Sequence, residues 1–372
     1  MQLSDYDDLP FHQAPTPVAI PATSDVHFND GYIFAAYSDD YYLLAGLRLH
    51  PNMNVMDAFA TLSHGGEQRC VRVSRALRPA SADLAVGPLR VEPAEPMKLL
   101  RMVLDESPVD LAFDLQFETV GQPYMEAPYR HYRHGHLVND LVRYTVAVRA
   151  SGTMTVDGRS VTVDRWHGMR DHSWGVRANM GPRTYHGGAE ADPSEVDHRR
   201  FRLWVPFEVE GHSGFFHTHE DEHGAAIDCE GELVFDDGRV VRIVAAEHEL
   251  EYAAGTRNPL KGRYTLTDTE GRNYDYAIEL AGTPADVQGF GYYGGWQDGG
   301  APGVWRGIGP VIESDRYPAA PDIADSAPPA VPAKKRLGPT EFPIRITGPD
   351  GAKGMGHFEH TVMGRYRPYG FD

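Results

Sequence analysis

Alternation of apolar and polar positions dominates the chain. In Leu111-Ala112-Phe113-Asp114-Leu115-Gln116-Phe117-Glu118, large apolar residues alternate with small or polar ones. On an extended backbone that pattern turns one face to a core and the other to water. Arg143-Tyr144-Thr145-Val146-Ala147-Val148-Arg149 is a second strand-like stretch. Hairpins are expected for 153–156 with 160–163 about Asp157-Gly158, for 233–235 with 240–244 about Asp237-Gly238, and for 265–267 with 274–278 about Glu270-Gly271. An Asp-Gly pair suits a type I′ turn, whose central residues need positive φ. No long amphipathic helix with clear caps is legible, and 97–105 reads equally as a short helix or a strand.

Many strands joined by short turns predict an all-β chain, and at 372 residues two barrels in tandem. The expected division is an N-terminal extension over 1–24, a first barrel over 25–178 and a second over 179–372. Within the second, 314–342 carries Pro318, Pro321, Pro328, Pro329, Pro332 and Pro339 among alanines. That text predicts a long inserted loop, since strand-like residues resume at Pro343.

Composition narrows the partners. The net charge of −18 disfavours nucleic acid and anionic lipid as partners. Cys70 and Cys229 stand alone, so there is no CxxC metal or redox pair. The opening MQLSDYDDLP has neither a basic region nor an apolar stretch, and the apolar runs are too short to span a bilayer. A cytoplasmic protein with no stable membrane insertion is expected; a homodimer is left open.

The chemistry concentrates in Trp166-His167-Gly168-Met169-Arg170-Asp171-His172-Ser173-Trp174-Gly175-Val176-Arg177. Two tryptophans are unneeded in a surface turn, and a plain core would not hold this many charges. The mixture reads as the wall of a partly apolar site. If it is a strand, Arg170, His172 and Trp174 share one face, and Asp171 and Ser173 the other. Asp171-His172-Ser173 therefore cannot relay a proton as a contiguous triad.

The run G-T-M-T-V-D-G at 152–158, followed by R-D-H-S-W-G at 170–175, resembles the carotenoid hydratase (hydroxyneurosporene synthase)/AttH-like superfamily. The specific match covers roughly 143–177, and the C-terminal Gly354-x-Gly356-His357-Phe358-Glu359 is similar to a further family element. The resemblance implies two consecutive lipocalin-like β-barrels. Its relatives include carotenoid 1,2-hydratases and, more distantly, fungal Diels–Alderases. In the hydratases the aspartate of an Asp-His-Asn-Trp-Gly motif is thought to be the acid, which implies that role for Asp171; Ser173 replaces the asparagine here. Hydration, isomerisation or cyclisation of an alkene begins by protonating carbon, which needs a neutral carboxylic acid; burial can raise a carboxyl pKa by up to ~3–5 units. Aromatic faces then stabilise the cation, by ~2 kcal/mol or more when desolvated.

The expected activity is cofactor-independent acid/base chemistry on a hydrophobic, unsaturated small molecule such as a terpenoid, polyene or polycycle. Asp171 and His172 are the candidate catalytic residues; Trp166, Arg170, Trp174, Arg177, Tyr185 and Glu359 are candidates for substrate binding. Against this stand a structural salt bridge of Asp171 with Arg170 or Arg177, and a carrier that binds a lipid-like ligand unchanged. A third class is a metalloenzyme using His217 and His219, which share a strand face in G-H-S-G-F-F-H-T-H-E-D-E-H and resemble half of a cupin motif. His131, His134 and His136 read as a polar loop. Gly289-Phe290-Gly291-Tyr292-Tyr293-Gly294 fits G-x-G-x-x-G, but no helix can start well after it, so it reads as glycine-rich turns rather than a dinucleotide site.

Overall fold

The computed structural model describes residues 5–8, 10, 12, 14–133, 135–182 and 197–372. Its strands are β1 (Phe28–Tyr37), β2 (Tyr42–His50), β3 (Val55–His64), β4 (Glu67–Ala76), β5 (Ala85–Val86), β6 (Leu89–Glu95) and β7 (Leu99–Leu104). β8 (Leu111–Thr119), β9 (Tyr124–Met125), β10 (Tyr129–Arg133), β11 (His136–Val156), β12 (Arg159–Arg177), β13 (Phe201–Val209) and β14 (His212–Glu220) follow. The remainder are β15 (Ala226–Phe235), β16 (Val240–Tyr252), β17 (Pro259–Asp268), β18 (Asn273–Leu280), β19 (Val311–Pro318), β20 (Glu341–Thr347) and β21 (Lys353–Val362). The described helices are 3₁₀ turns of three or four residues, and none is long and apolar enough to cross a membrane.

The chain is all-β, as the alternation implies. In β8 the inward residues Leu111, Phe113, Leu115 and Phe117 are buried while their neighbours are not. β11 and β12 form one long hairpin about Asp157-Gly158, whose φ values of 50° and 72° are those of a type I′ turn. The other two expected hairpins join β15 to β16 and β17 to β18. The ambiguous 97–105 resolves as a strand, β7, because it pairs on both sides, with β6 and β8.

The first unit is a curled sheet in the order β19-β4-β3-β2-β1-β12-β11-β8-β7-β6-β5, with β9 and β10 paired along β11. Its end strand β5 comes round against β3 and β4, which encloses a core of Phe34, Leu47, Met102, Phe117 and Val148. The second unit is a closed barrel, β13-β14-β15-β16-β17-β18-β20-β21. Phe201, Leu203, Phe207, Tyr264, Phe342 and Phe358 fill it.

One expectation needs correcting. The segment read as a loop over 314–342 begins inside β19, which returns to the first unit and pairs with β4, Val311 opposite Ser74 and Pro318 opposite Glu67. A proline can end such an edge strand because its missing N–H costs no ladder bond there.

The two units meet face to face. Alternate residues of β1, β2 and β12, namely Ala35, Tyr37, Tyr42, Leu44 and Met169, pack against Trp204 and Phe215 of the barrel. Phe290 joins them from the glycine-rich run, which forms short 3₁₀ turns anchored on the first sheet by Gln68: its amide accepts from Asp286 N–H (2.7 Å) and donates to Asp286 carbonyl (2.9 Å). The seam is therefore built from the outer faces of both units.

Candidate active site

The alternation along β12 decides what reaches the seam. Arg170, His172 and Trp174 turn away from it into the first unit. Arg170 is fully buried; it donates to Tyr144 Oη (2.9 Å) and the Met97 carbonyl (3.3 Å), and its guanidinium lies 5.3 Å from the Tyr144 ring centroid. His172 Nε2 lies 2.7 Å from Asp30 Oδ1, and its ring centroid is 5.2 Å from that of Trp174. Trp166 stacks on Tyr41, with centroids 5.7 Å apart. Asp171 faces the other way. Its Oδ1 accepts the Ile33 N–H (3.2 Å), and its Oδ2 lies 4.0 Å from Arg143 Nη1. Ser173 accepts a bond from Arg48 (3.1 Å), which pins the same face. Gly175 closes the motif because φ is 130° there and a Cβ would sit 2.2 Å from the Asp140 carbonyl oxygen.

Asp171 lines a cavity of about 1030 Å³ between the units. Ile33, Leu44, Met169 and Phe290 give it an apolar wall, while Arg143, Arg177, Arg202, Glu341, His357 and Glu359 bring charge and protons to it. Trp204 also lines it. Trp204 Nε1 donates to Glu126 Oε1 (3.1 Å), and its ring lies under the Arg143 guanidinium (4.7 Å) and edge-on to His357 (5.5 Å). Glu126 also holds Arg143 through two bonds of 2.5 Å and accepts from Thr145 (3.0 Å).

A second protolytic group enters from the barrel. Glu341 Oε2 lies 2.9 Å from His357 Nε2, and His357 Nδ1 is 2.7 Å from Tyr42 Oη. Burial, then the Glu341 charge, holds the Tyr42 phenol well above its ordinary pKa, so Tyr42 stays a neutral hydroxyl against His357 Nδ1. Glu359 is ion-paired with Arg202. Burial, then repulsion from Arg143, lowers Arg202 to about 10. Asp171, Glu126 and Glu359 thus each face an arginine, whereas among the described residues Glu341 has histidine as its only ion-pair partner.

Two sets of side chains have the donors for a metal: Glu126, His217 and Glu230, and Glu341, His357 and Glu359, in each of which the donor atoms lie within 4.8 Å of one another. The donors are already engaged. Arg202 Nε donates to His217 Nε2 (3.3 Å), and burial followed by Arg202 pushes His217 far below its ordinary pKa, leaving it neutral with its proton on Nδ1. Glu230 accepts from Tyr124 (2.9 Å) and the Ala127 N–H (3.0 Å). His217 and His219 do share a face, centroids 4.6 Å apart, but His219 Nδ1 is held by Asp228 at 2.8 Å. A metal at either set would have to displace these bonds.

Of the residues read as site candidates, Asp171, Arg177 and Glu359 meet at this cavity; Trp166, Arg170, His172 and Trp174 do not line it. Tyr185 and His134 lie outside the described residues. The sequence reading missed Trp204, Glu126, Glu341 and His357. For His357 a signal existed, since alternation puts it on the face of Glu359; Glu341 pairs directly opposite Glu359 across the β20–β21 ladder, which no local pattern shows.

A model of a family described as of unknown function, DUF8625, matches residues 3–372. No curated protein matches the sequence. Among solved structures, a protein from Nitrosomonas europaea provisionally named AttH is 12% identical with a TM-score of 0.54, over 95% of this chain and 98% of that one. Kievitone hydratase from Nectria haematococca is 11% identical with a TM-score of 0.49, over 92% and 93%. The former likeness shows the AttH-like tandem fold that the motif resemblance implies.

Proposed function

The chain belongs to the DUF8625 family, whose description assigns no activity, and from the chemistry of its seam we propose that it is an acid/base enzyme acting on a hydrophobic, unsaturated small molecule. Its reaction is addition or removal of water across an alkene, with isomerisation or cyclisation as variants of the same carbon protonation. One observation carries this reading: Asp171 from the first unit and Glu341, held by His357, from the second line one partly apolar cavity. In hydration, one carboxyl group gives its proton to an alkene carbon, the other takes a proton from the adding water, and the new C–O bond completes the product. Elimination runs the roles in reverse. The faces of Trp204 and Tyr292 stabilise the developing cation. No step calls for a cofactor.

A specific observation favours a second reading, a carrier that binds without chemistry: the Asp171 carboxylate faces Arg143 and anchors the Ile33 N–H, both structural tasks. The two readings separate in D₂O. Wild type, Asp171→Asn and Glu341→Gln are incubated with a panel of unsaturated terpenoids, polyenes and polycyclic alkenes, and products are read by mass. The enzyme reading expects carbon-bound deuterium with wild type and a loss of about 10²–10⁴-fold in each variant. Full turnover by Asp171→Asn would remove that residue from the chemistry. Equal binding by all three proteins without product would leave the carrier.

A further inference from the structure

We propose that Arg177 forms, with the arginines beside it, a subsite for a carboxylate, so that the substrate is an amphiphilic acid with an unsaturated hydrocarbon body. This rests on the seam being the substrate site and names the substrate class it takes.

The protein carries a net charge of −18, yet the seam opens onto a region rich in arginine, most of it paired with carboxylates. A second hollow of about 500 Å³ adjoins the cavity, and the wall shared by the two holds Arg143, Arg177 and Arg202; the outer hollow adds Arg130, Arg199 and Arg200. Five of these six are occupied. Arg143 is held by Glu126, Arg202 by Glu359, Arg130 by Asp140 (2.9 Å) and Arg199 by Asp228 (3.8 Å), while Arg200 donates to the carbonyls of Asp197 (2.6 Å) and Arg199 (3.2 Å). Arg177 differs. Among the described residues its side chain has neither an ion pair nor a hydrogen bond, although it is half-buried at the end of β12.

Taking a guanidinium out of water without a partner is costly. Burial, then the positive charge of Arg48, lowers the Arg177 pKa, the mark of a cation held in an unfavourable field. A bound anion reverses that field. A guanidinium matches a carboxylate through two parallel N–H···O bonds, which fixes orientation as well as affinity. The neighbouring arginines are balanced by Glu126, Glu359, Asp140 and Asp228, so the Arg177 guanidinium is the charge left to draw an anion to this mouth even though the whole molecule is acidic.

The remainder of the cavity suits the other end of such a molecule. Its apolar wall of Ile33, Leu44, Met169 and Phe290 lies on the Asp171 side, and its volume of about 1030 Å³ is that of a site for a drug-sized ligand. An acid anchored at Arg177 lays its hydrocarbon past Asp171, which lies on the same β12 face and contributes to the charge felt by Arg177.

The test is a matched pair of ligands, oleate and methyl oleate, titrated at submicellar concentration into wild type, Arg177→Gln and Arg177→Lys with tryptophan fluorescence as the readout. Wild type is expected to bind oleate at least about tenfold more tightly than the ester, from a charge-assisted bond to a desolvated group. Arg177→Gln should lose that preference while binding the ester unchanged, which shows that the cavity still folds; Arg177→Lys should restore part of it. Equal affinity of wild type for acid and ester overturns the anionic subsite and leaves the apolar cavity standing. A preference retained by Arg177→Gln overturns the role of Arg177. Binding of neither ligand overturns the substrate class, whereas the acid/base reading stands or falls separately on deuterium incorporation.

Discussion

Along β13, Phe201, Leu203, Val205, Phe207 and Val209 fill the closed barrel, while between them Arg202 lines the seam cavity and Trp204 and Glu208 bond to Glu126 and Arg149 of the first unit. The two sides treat polar groups differently. Inside the barrel most are matched in pairs, His212 with Tyr276 (2.8 Å), His248 with Glu220 (2.8 Å) and Tyr252 with His360 (3.1 Å), among stacked aromatic rings, while the buried Tyr264 hydroxyl has no hydrogen-bond partner among the described residues. In the seam, charges face a hollow, and Arg177 has no ion-pair or hydrogen-bond partner among the described residues. A barrel interior filled with phenylalanine and tyrosine holds the fold; the seam cavity proposed as the ligand site is lined by the outer faces of the two units. If ligand binds at the seam as proposed, the barrel interior serves the fold and the barrel's outer face serves the site.

The largest effect on stability should come from the barrel. Phe358 is fully buried, and Phe358→Ala should cost about 3–5 kcal/mol, read as a fall in the urea midpoint, through lost burial and the cavity left behind. An equal loss from Leu44→Ala, whose side chain borders the seam cavity, would erase the distinction between packed interior and hollow seam. Gly175→Ala comes next, at about 1–3 kcal/mol, because a side chain there meets both a forbidden φ and the Asp140 carbonyl. No change in stability would show that β12 can shift without cost.

The paired histidines give a pH signature. Burial pushes His360 down to about 3, so the folded state refuses a proton that the unfolded chain accepts near pH 6.5. Its contribution is fully present above about pH 6.5 and is lost as pH falls towards 3, at up to about 1.4 kcal/mol per pH unit. His360→Asn should flatten unfolding midpoints measured between pH 7.5 and 5; an unchanged slope would assign the dependence to other groups. The smallest effect belongs to His172, whose partner Asp30 is half exposed. His172→Gln should cost under about 1 kcal/mol and leave turnover within about twofold, because its side chain points away from the seam. A large loss of activity would show that both faces of β12 take part.

What the sequence disclosed was local. The alternation of 111–118, the Asp157-Gly158 turn and the opposed faces of Arg170 and Asp171 all follow from residues adjacent in the chain, and all are present in the fold. The seam depends on pairings between distant residues. Tyr42 reaches His357, Trp204 reaches Glu126, and β19 returns to β4. Nothing in a strand's own text names its partner, so Arg143 could be read as a strand residue but not as the arginine beside Asp171. Glu341 opens β20 directly after a proline-rich stretch, and that composition hid it.

The most direct test of the central claim, that ligand sits between the units and not within the barrel, is anomalous diffraction from crystals soaked with a bromine-labelled unsaturated fatty acid. The account predicts bromine density in the seam, near Trp204 and Asp171, with the carboxylate at Arg177. Bromine inside the closed barrel among Phe201, Tyr264 and Phe358 would contradict it.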